Sequence, residues 1–339
     1  MTAKAAAPRT PAQTLSPTVD ALRRELDSRR PADGDRMQEI ARYALLAPGK
    51  LLRPVLLVAA AEATGGSRDQ VVPAALAVEY LHVASLVHDD VIDGDDLRRG
   101  QDSVHARYGV PDAIAIGDAL LFQVFSAVSE CAALGVPDAA VLAAVGVLAQ
   151  AGEELCRGQL QEALLTAAGP RGCGLDAYQE MASLKTGALL RGACRAGALL
   201  SGGTPEETEA VTAFGGHVGL AFQMYDDLLP YLADETVTGK PGASDAGNLR
   251  PTFPVLLAYR TGTAADRRRL ERVLRGGLSP EATFAALREV ITATGSLELA
   301  QDQARGEAEE ARARLDALPP TEAADVLAAV ADLTVRRDR

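Results

Sequence analysis

The stretch HDDVIDGDDLRRG (residues 88–100) follows directly on the apolar run EYLHVASLV (79–87). The apolar spacing predicts a helix that turns acidic at its C-terminal end. Asp89 and Asp93 stand four residues apart, so they share one helix face about 6 Å from each other. Asp90 lies beside them. Carboxylates at a helix C-terminus oppose the macrodipole, and nothing in helix formation asks for them there. A bound cation removes the repulsion. A ligand set of carboxylates without Cys or His favours a hard, oxygen-loving ion such as Mg²⁺. A solvated acidic helix end is the other reading of the same residues.

A second apolar helix pattern ends in the same way. AFQMYDDLLP (221–230) closes on Asp226 and Asp227. If the two acidic ends served one site, their ions could neutralise a diphosphate. The chain also carries cations suited to phosphate. Arg98 and Arg99 follow the first cluster, Lys50 and Arg53 sit in APGKLLRP, Lys185 in SLKTG, and Lys240 in TGKPG. Arg offers a bidentate fork and Lys a point charge.

Around these clusters the chain reads as helical throughout. Its 339 residues are 47% hydrophobic, with no Trp, seven Tyr and six Phe. Ala and Leu dominate, which favours helices over strands. Ser16-Pro17, Thr204-Pro205-Glu206-Glu207 and Ser279-Pro280 are helix starts, the middle one a capping box. No segment alternates with period two and no long linker appears. The expectation is one all-helical domain over 16–339, preceded by a disordered arm over 1–15. Residues 233–250, rich in Gly, Pro and Asp, form the longest internal loop candidate.

The net charge of −12 argues against nucleic acid or an anionic membrane as the main partner. The longest apolar run, AAVLAAVGVLAQ (139–150), is shorter than the ~20 residues that span a bilayer, so no stable membrane insertion is expected. The four cysteines, Cys131, Cys156, Cys173 and Cys194, form no CxxC pair and read as reduced thiols of a cytoplasmic protein.

Taken in order, these elements resemble the trans-isoprenyl diphosphate synthases, or polyprenyl synthetases. HDDVIDGDDLRRG is similar to that family's first aspartate-rich motif, DDxxDxxxxRRG. GKLLRP resembles its GKxxRP element and LKTG its KT element. GLAFQMYDDLL and the following residues to Asp245 resemble its second motif. The likeness runs over roughly residues 35 to 260. It implies an all-α isoprenoid synthase-type bundle around a deep central cavity, in a homodimer. It also implies chain elongation, in which isopentenyl diphosphate adds to an allylic diphosphate (dimethylallyl, geranyl or farnesyl).

In that scheme Asp89, Asp93 and Asp226 hold about three Mg²⁺, with Asp90 and Asp227 in support. Arg98, Lys185 and Lys240 contact the allylic diphosphate, and Thr186 and Gln223 also bind substrate. Lys50, Arg53, His82 and Arg99 contact isopentenyl diphosphate. His88, His105 and His217 receive structural roles. Two departures stand out: Pro230 replaces the last aspartate of the second motif, and Arg250 stands where the family often has Lys. Ala84 and Ser85, five and four residues before Asp89, are small, with Leu81 one turn deeper. The resemblance implies that small residues here allow a twenty-carbon product, geranylgeranyl diphosphate, with Phe122 or Phe125 as the cavity floor or as ordinary core aromatics. A terpene cyclase on the same fold and a non-catalytic partner subunit are the alternatives. The cation set for isopentenyl diphosphate weighs against the first and the complete first motif against the second.

Overall fold

The protein, represented by a computed structural model, is described over residues 10–232 and 248–336. Helix α1 (Pro11–Ser28) starts earlier than its sequence suggests. The Thr10 hydroxyl accepts the Gln13 N–H, and the Gln13 side chain accepts the Thr10 N–H. This reciprocal cap sets the start. The expected arm therefore does not reach residue 15, and Pro17 lies inside the helix. Leu15 explains the shift: it is buried on one stripe with Leu22 and Leu26, and burying it needs the extra turn.

Helix α2 (Arg36–Leu45) is capped by Asp35. Helix α3 (Leu52–Ala63) follows Leu51, whose φ of 48° is left-handed, an uncommon conformation for a residue with a branched side chain. Helix α4 (Arg68–Asp93) is buried along most of its length and stops at Gly94, a left-handed C-cap at φ 68°. Glycine takes that cap without a Cβ penalty. A two-residue antiparallel hairpin follows, β1 (Leu97–Arg98) on β2 (Gln101–Asp102). Its turn residues Arg99 and Gly100 both have positive φ, 53° and 80°. Positive φ at both central positions is what a tight hairpin with the native twist requires. The RRG sequence thus has a backbone meaning besides its charge. No other strand occurs among the described residues.

Next come α5 (Val104–Tyr108), α6 (Val110–Ala133) and the long α7 (Asp138–Gly172), broken at Gly169. Helix α8 (Leu175–Ala182) passes into a π-helical turn, Ser183–Gly187, and then into α9 (Ala188–Leu200). Helix α10 (Pro205–Asp226) opens with the expected box between Thr204 and Glu207. It stops at Asp226, and Pro230 falls in the first turn of the short α11 (Leu229–Leu232), where a missing N–H costs nothing. The helices Phe253–Thr261, Ala264–Val273, Pro280–Ala293, Ser296–Arg314 and Glu322–Val335 complete the chain. Ser279 caps the third of these as its sequence suggests.

The sequence predicts a single domain. The helices gather into two compact units, each built from non-contiguous segments. One holds residues up to Gly152 with Leu189–Gly215 and Arg314–Leu333; the other holds Glu153–Ala188, Gly216–Ala313 and the C-terminal residues. All five boundaries between them fall inside helices, so no change of composition marks them. In the first unit α4 packs on α3 and α6, and Leu56, Leu57, Leu76, Leu120, Leu189, Leu190 and Phe214 are fully buried. Gly197 lets α9 touch α3, because a Cβ there would lie 2.3 Å from the Leu57 carbonyl oxygen. In the second unit Tyr178, Met224, Leu228, Phe253, Leu257, Ala300 and Ala304 form one cluster. Each buried Leu or Phe contributes roughly 1.5–3 kcal/mol.

Three helices, α4, α6 and α7, are long and apolar enough to cross a membrane by length and composition, which the short run at 139–150 does not suggest. The relevant window of α4 is 72% buried within the protein, so its apolar surface is core. All four cysteines are free thiols, with Cys131, Cys173 and Cys194 buried and Cys156 exposed.

Candidate active site

The C-terminal turn of α4 separates its three aspartates by burial. Asp89 and Asp93 are half-buried on one face, whereas Asp90 is only 2% exposed. Adjacent residues of a helix point about 100° apart, so the neighbour of an outward carboxylate faces inward. Arg98, on β1, reaches back to Asp90. Its Nε donates to Oδ1 at 2.8 Å, and its Nη2 makes a second, closer contact with the same oxygen. Burial pushes the Asp90 carboxyl up, while Arg98 draws it down. The hairpin turn is therefore tied to the helix end by a buried ion pair.

The cations read as one phosphate set do come together in the first unit. Arg53 Nη1 lies 3.2 Å from His82 Nε2. Burial first, then the charges of Arg53, Arg99 and Arg98, hold His82 well below its usual pKa. His82 is thus a neutral ring among guanidiniums. A Cβ at Gly49 would lie 2.6 Å from Arg99 Nη1, which places Arg99 against the GKLLRP loop. Arg23 Nη2 fixes that loop by donating to the Gly49 carbonyl at 2.9 Å. Lys50 is exposed beside it. Sequence reading missed Glu79, one turn before His82 on α4 and 3% exposed. Burial pushes its carboxyl up, opposed by the charges of Arg53 and Arg99. A lone Glu at the start of an apolar run was the available signal.

The second unit gathers the remaining candidates. Lys185 sits in the π-helical turn, and its Nζ donates to Glu162 Oε2 at 2.6 Å. Arg250 Nη2 lies 3.7 Å from the same oxygen. Glu162, also missed from sequence, thus draws Lys185 and Arg250 together. Gly158 permits the approach of α7, because a Cβ there would be 2.3 Å from the Lys185 backbone nitrogen. The Thr186 hydroxyl donates to Gln223 Oε1 at 2.6 Å, and Gln223 Nε2 donates to Asp227 Oδ1 at 2.9 Å. Asp227 Oδ2 accepts from the Tyr178 hydroxyl at 2.8 Å and from the Phe253 N–H at 2.9 Å. Asp226 is exposed, whereas Asp227 is buried. Lys240 lies outside the described residues.

Do these residues fit Mg²⁺? Among the described residues no three or more His, Cys, Asp or Glu side chains converge into a metal cluster. Mg²⁺ does not need such a cluster, since it binds through one or two carboxylates completed by water and phosphate oxygens. Asp89 and Asp93, one turn apart and half-buried in the first unit, fit that pattern, and in the second unit Asp226 is exposed. Asp90 and Asp227 do not fit as ligands. Both are buried and accept hydrogen bonds from protein donors, so their support is structural.

The residues singled out for chain length divide. Ala84 and Leu81 are buried at 0% and 7% exposure, and Ser85 is half-buried, with its hydroxyl donating to the His82 carbonyl at 2.7 Å. Phe122 and Phe125 are 72% and 46% exposed. They belong neither to a cavity floor nor to the core, because the buried stripe of α6 runs through Leu120, Val124 and Val128 instead. The three unassigned histidines make structural contacts: His88 near Asp118, His105 with Ser103, and His217 Nδ1 at 2.8 Å from Glu307 Oε2.

The sequence matches the polyprenyl synthetase family over residues 35–291. It is 35% identical over 304 residues to the geranylgeranyl diphosphate synthase of Methanosarcina mazei, covering 90% of each chain. It is 31% identical over 328 residues to the octaprenyl diphosphate synthase of Escherichia coli, covering 97% of each. The fold superposes on the geranylgeranyl pyrophosphate synthetase of Pyrococcus horikoshii with a TM-score of 0.88 and 29% identity, covering 97% of this chain and 98% of that one.

Proposed function

Because the chain belongs to the polyprenyl synthetase family, we propose that this trans-prenyl diphosphate synthase joins isopentenyl diphosphate to dimethylallyl, geranyl or farnesyl diphosphate and releases mainly geranylgeranyl diphosphate. The observation that carries the reading is the group Arg53, His82 and Arg99. It is a run of cationic and neutral donors, half-buried at Arg53 and His82 and exposed at Arg99, beside the GKLLRP loop. A diphosphate is the anion that such a group suits. An enzyme that only ionises and cyclises an allylic diphosphate has no use for a second diphosphate pocket, so the same group speaks against a cyclase.

In this reading Asp89, Asp93 and Asp226 hold Mg²⁺, and Lys185, Thr186, Gln223, Arg98 and Lys240 hold the allylic diphosphate. Bound Mg²⁺ would stabilise the charge that grows on the departing diphosphate. The cationic side chains do the same work from fixed positions, with no reorganisation during reaction. The allylic carbon–oxygen bond breaks and its electron pair leaves with diphosphate. The terminal alkene carbon of isopentenyl diphosphate then bonds to the allylic carbon. A proton leaves the neighbouring methylene for the released diphosphate, restoring the double bond. No strong side-chain base is needed, and His82, neutral among three guanidiniums, is suited to donate a hydrogen bond rather than to carry the proton. Apolar walls exclude the water that would otherwise capture the cation.

The twenty-carbon product rests on the small Ala84 and Ser85. The relatives alone leave chain length open, since their named products differ. The homodimer rests on α6, where Val110, Ile114, Phe122 and Phe125 leave an exposed apolar face, of the kind a second copy covers. Sedimentation of the purified chain tests it, and a monomer at micromolar concentration would remove it. Free thiols support a reducing, cytoplasmic setting, and the charge of −12 speaks against nucleic acid as a partner.

The deciding experiment supplies Mg²⁺, isopentenyl diphosphate and each allylic primer in turn, then separates the dephosphorylated products. A twenty-carbon alcohol is expected. A shorter or longer alcohol keeps the activity and rejects the chain-length argument. A hydrocarbon formed without isopentenyl diphosphate means a cyclase. Activity seen only after adding a related chain means a partner subunit.

A further inference from the structure

We propose that Tyr178 is a positioning residue for the allylic diphosphate, acting through Asp227 on Gln223 and Thr186; this rests on the activity proposed above. The four side chains form one continuous hydrogen-bonded line across three elements of the second unit. Tyr178 comes from α8, Asp227 follows the last residue of α10, Gln223 is one turn earlier in α10, and Thr186 lies in the π-helical turn.

The direction of each hydrogen bond matters more than its strength. Tyr178 is buried and stacked on Phe253, with ring centroids 5.3 Å apart and planes at 21°. The ring therefore cannot swing, and its hydroxyl is held 2.8 Å from Asp227 Oδ2. The Phe253 N–H donates to the same oxygen at 2.9 Å. Two donors on Oδ2 fix the carboxylate plane, and Oδ1 accepts from Gln223. A carboxylate oxygen only accepts, so Gln223 must present its amide nitrogen there, at 2.9 Å. The amide is then oriented. Its Oε1 faces away from Asp227 and accepts the Thr186 hydroxyl at 2.6 Å. One Gln223 N–H is committed to Asp227, and the second remains for an anion.

The arrangement assigns different jobs to neighbouring aspartates. Asp226 is exposed and suits metal; Asp227 is an anchor that orients an amide donor. Thr186 immediately follows Lys185, so the line also pins the turn that carries the lysine. The sequence offers no hint of Tyr178, because a Tyr seven residues before Lys185 in an amphipathic helix reads as ordinary core.

The test is Tyr178→Phe in the full chain, which removes one hydroxyl and keeps the stacked ring. The readouts are KM for farnesyl and for isopentenyl diphosphate, the Mg²⁺ concentration for half-maximal rate, and the calorimetric Kd for farnesyl diphosphate with Mg²⁺. The loss of one oriented hydrogen bond is worth about 0.5–1.5 kcal/mol, or roughly 2–12-fold. The farnesyl diphosphate KM and Kd should rise by about that factor, with the isopentenyl diphosphate KM and the Mg²⁺ requirement unchanged. Thr186→Val should cost less in the Tyr178→Phe background than alone, because both act on the same amide. Unchanged farnesyl diphosphate constants, or additive costs, overturn the proposal. So does an equal rise in all constants, which would mark general loosening. If Tyr178→Phe does not fold, Asp227→Asn, which keeps the shape but can offer a donor to Gln223, takes the same comparison. Absence of turnover by the unaltered chain would instead reject the elongation activity, and the calorimetric comparison would still judge the line of hydrogen bonds.

Discussion

Single residues show how the same side chain type takes opposite roles through burial alone. Asp89 and Asp90 are neighbours, yet one is half-buried and the other is 2% exposed against Arg98. Asp90→Ala would leave Arg98 without its buried partner. Breaking a fully buried pair costs about 3–5 kcal/mol. Arg98 keeps 34% of its side chain exposed, so a loss of about 2 kcal/mol is expected here. A urea midpoint equal to that of the unaltered chain would mean that the pair is not structural. His82 gives a pH dependence whose sign follows from its environment. Its folded pKa lies well below 6.5, for burial and the charges of Arg53, Arg99 and Arg98 all disfavour the imidazolium. The unfolded chain therefore takes up a proton near pH 6.5 that the folded chain refuses. Stability is intact above that pH and falls as the pH drops, by up to ~1.4 kcal/mol per pH unit. Glu79, facing the same arginines with its pKa raised by burial, works in the opposite direction. The His82 share is the difference in denaturation midpoint between the unaltered chain and His82→Gln at pH 7.5 and 5.5. A constant difference across that range would contradict the assignment.

At the level of elements, two close contacts do the positioning. The α4 end and the hairpin are joined by the Asp90–Arg98 pair, and the second half of α7 lies on the π-helical turn at Gly158. A methyl group at Gly158 has no room, with Lys185 N at 2.3 Å and Cα at 2.6 Å. The backbone must move, and Lys185 moves with it. Gly158→Ala should destabilise by about 1–3 kcal/mol and lower kcat/KM more than tenfold, since a displacement of about 1 Å can cost 10²-fold. Full activity in this variant would show that the turn accommodates the shift. Most elements were legible in the sequence. The capping box at Thr204 and the N-cap at Ser279 start helices as read, because capping is local chemistry. The start of α1 was not, because the burial of Leu15 on a shared stripe outweighed the Ser16-Pro17 signal. The π-helical turn was not legible either, since it is one residue wider than an α turn and no residue type announces it.

For the whole molecule, the property to be explained is the length of the product. Ala84 is buried at 0% exposure seven helix positions after Ala77, on the helix that ends in the first aspartate pair. Replacing it with Phe puts an aromatic ring where the small side chain leaves room for the product tail in this reading. Under the twenty-carbon reading, Ala84→Phe should move the main product to fifteen carbons while leaving the thermal transition within a few degrees. An unchanged product would detach Ala84 from the tail-binding space. The expected aromatic floor is already excluded, since Phe122 and Phe125 face outward. That outcome reflects a limit of pattern reading: α6 is apolar on more than one face, and the sequence does not say which face its own core takes.

The sequence by itself determined the all-α class, the family, and the residue types able to hold metal and diphosphate. These follow from periodicity, capping and motif spacing, which are properties of neighbouring residues. Tertiary structure alone decided that Asp90 and Asp227 are anchors, that Glu79 and Glu162 stand behind cationic side chains, and that Tyr178 reaches Asp227 from another helix. These roles depend on burial and on partners distant in the chain. An aspartate looks the same in a sequence whether it meets water, a metal ion or a phenol; only packing removes the water and selects the partner.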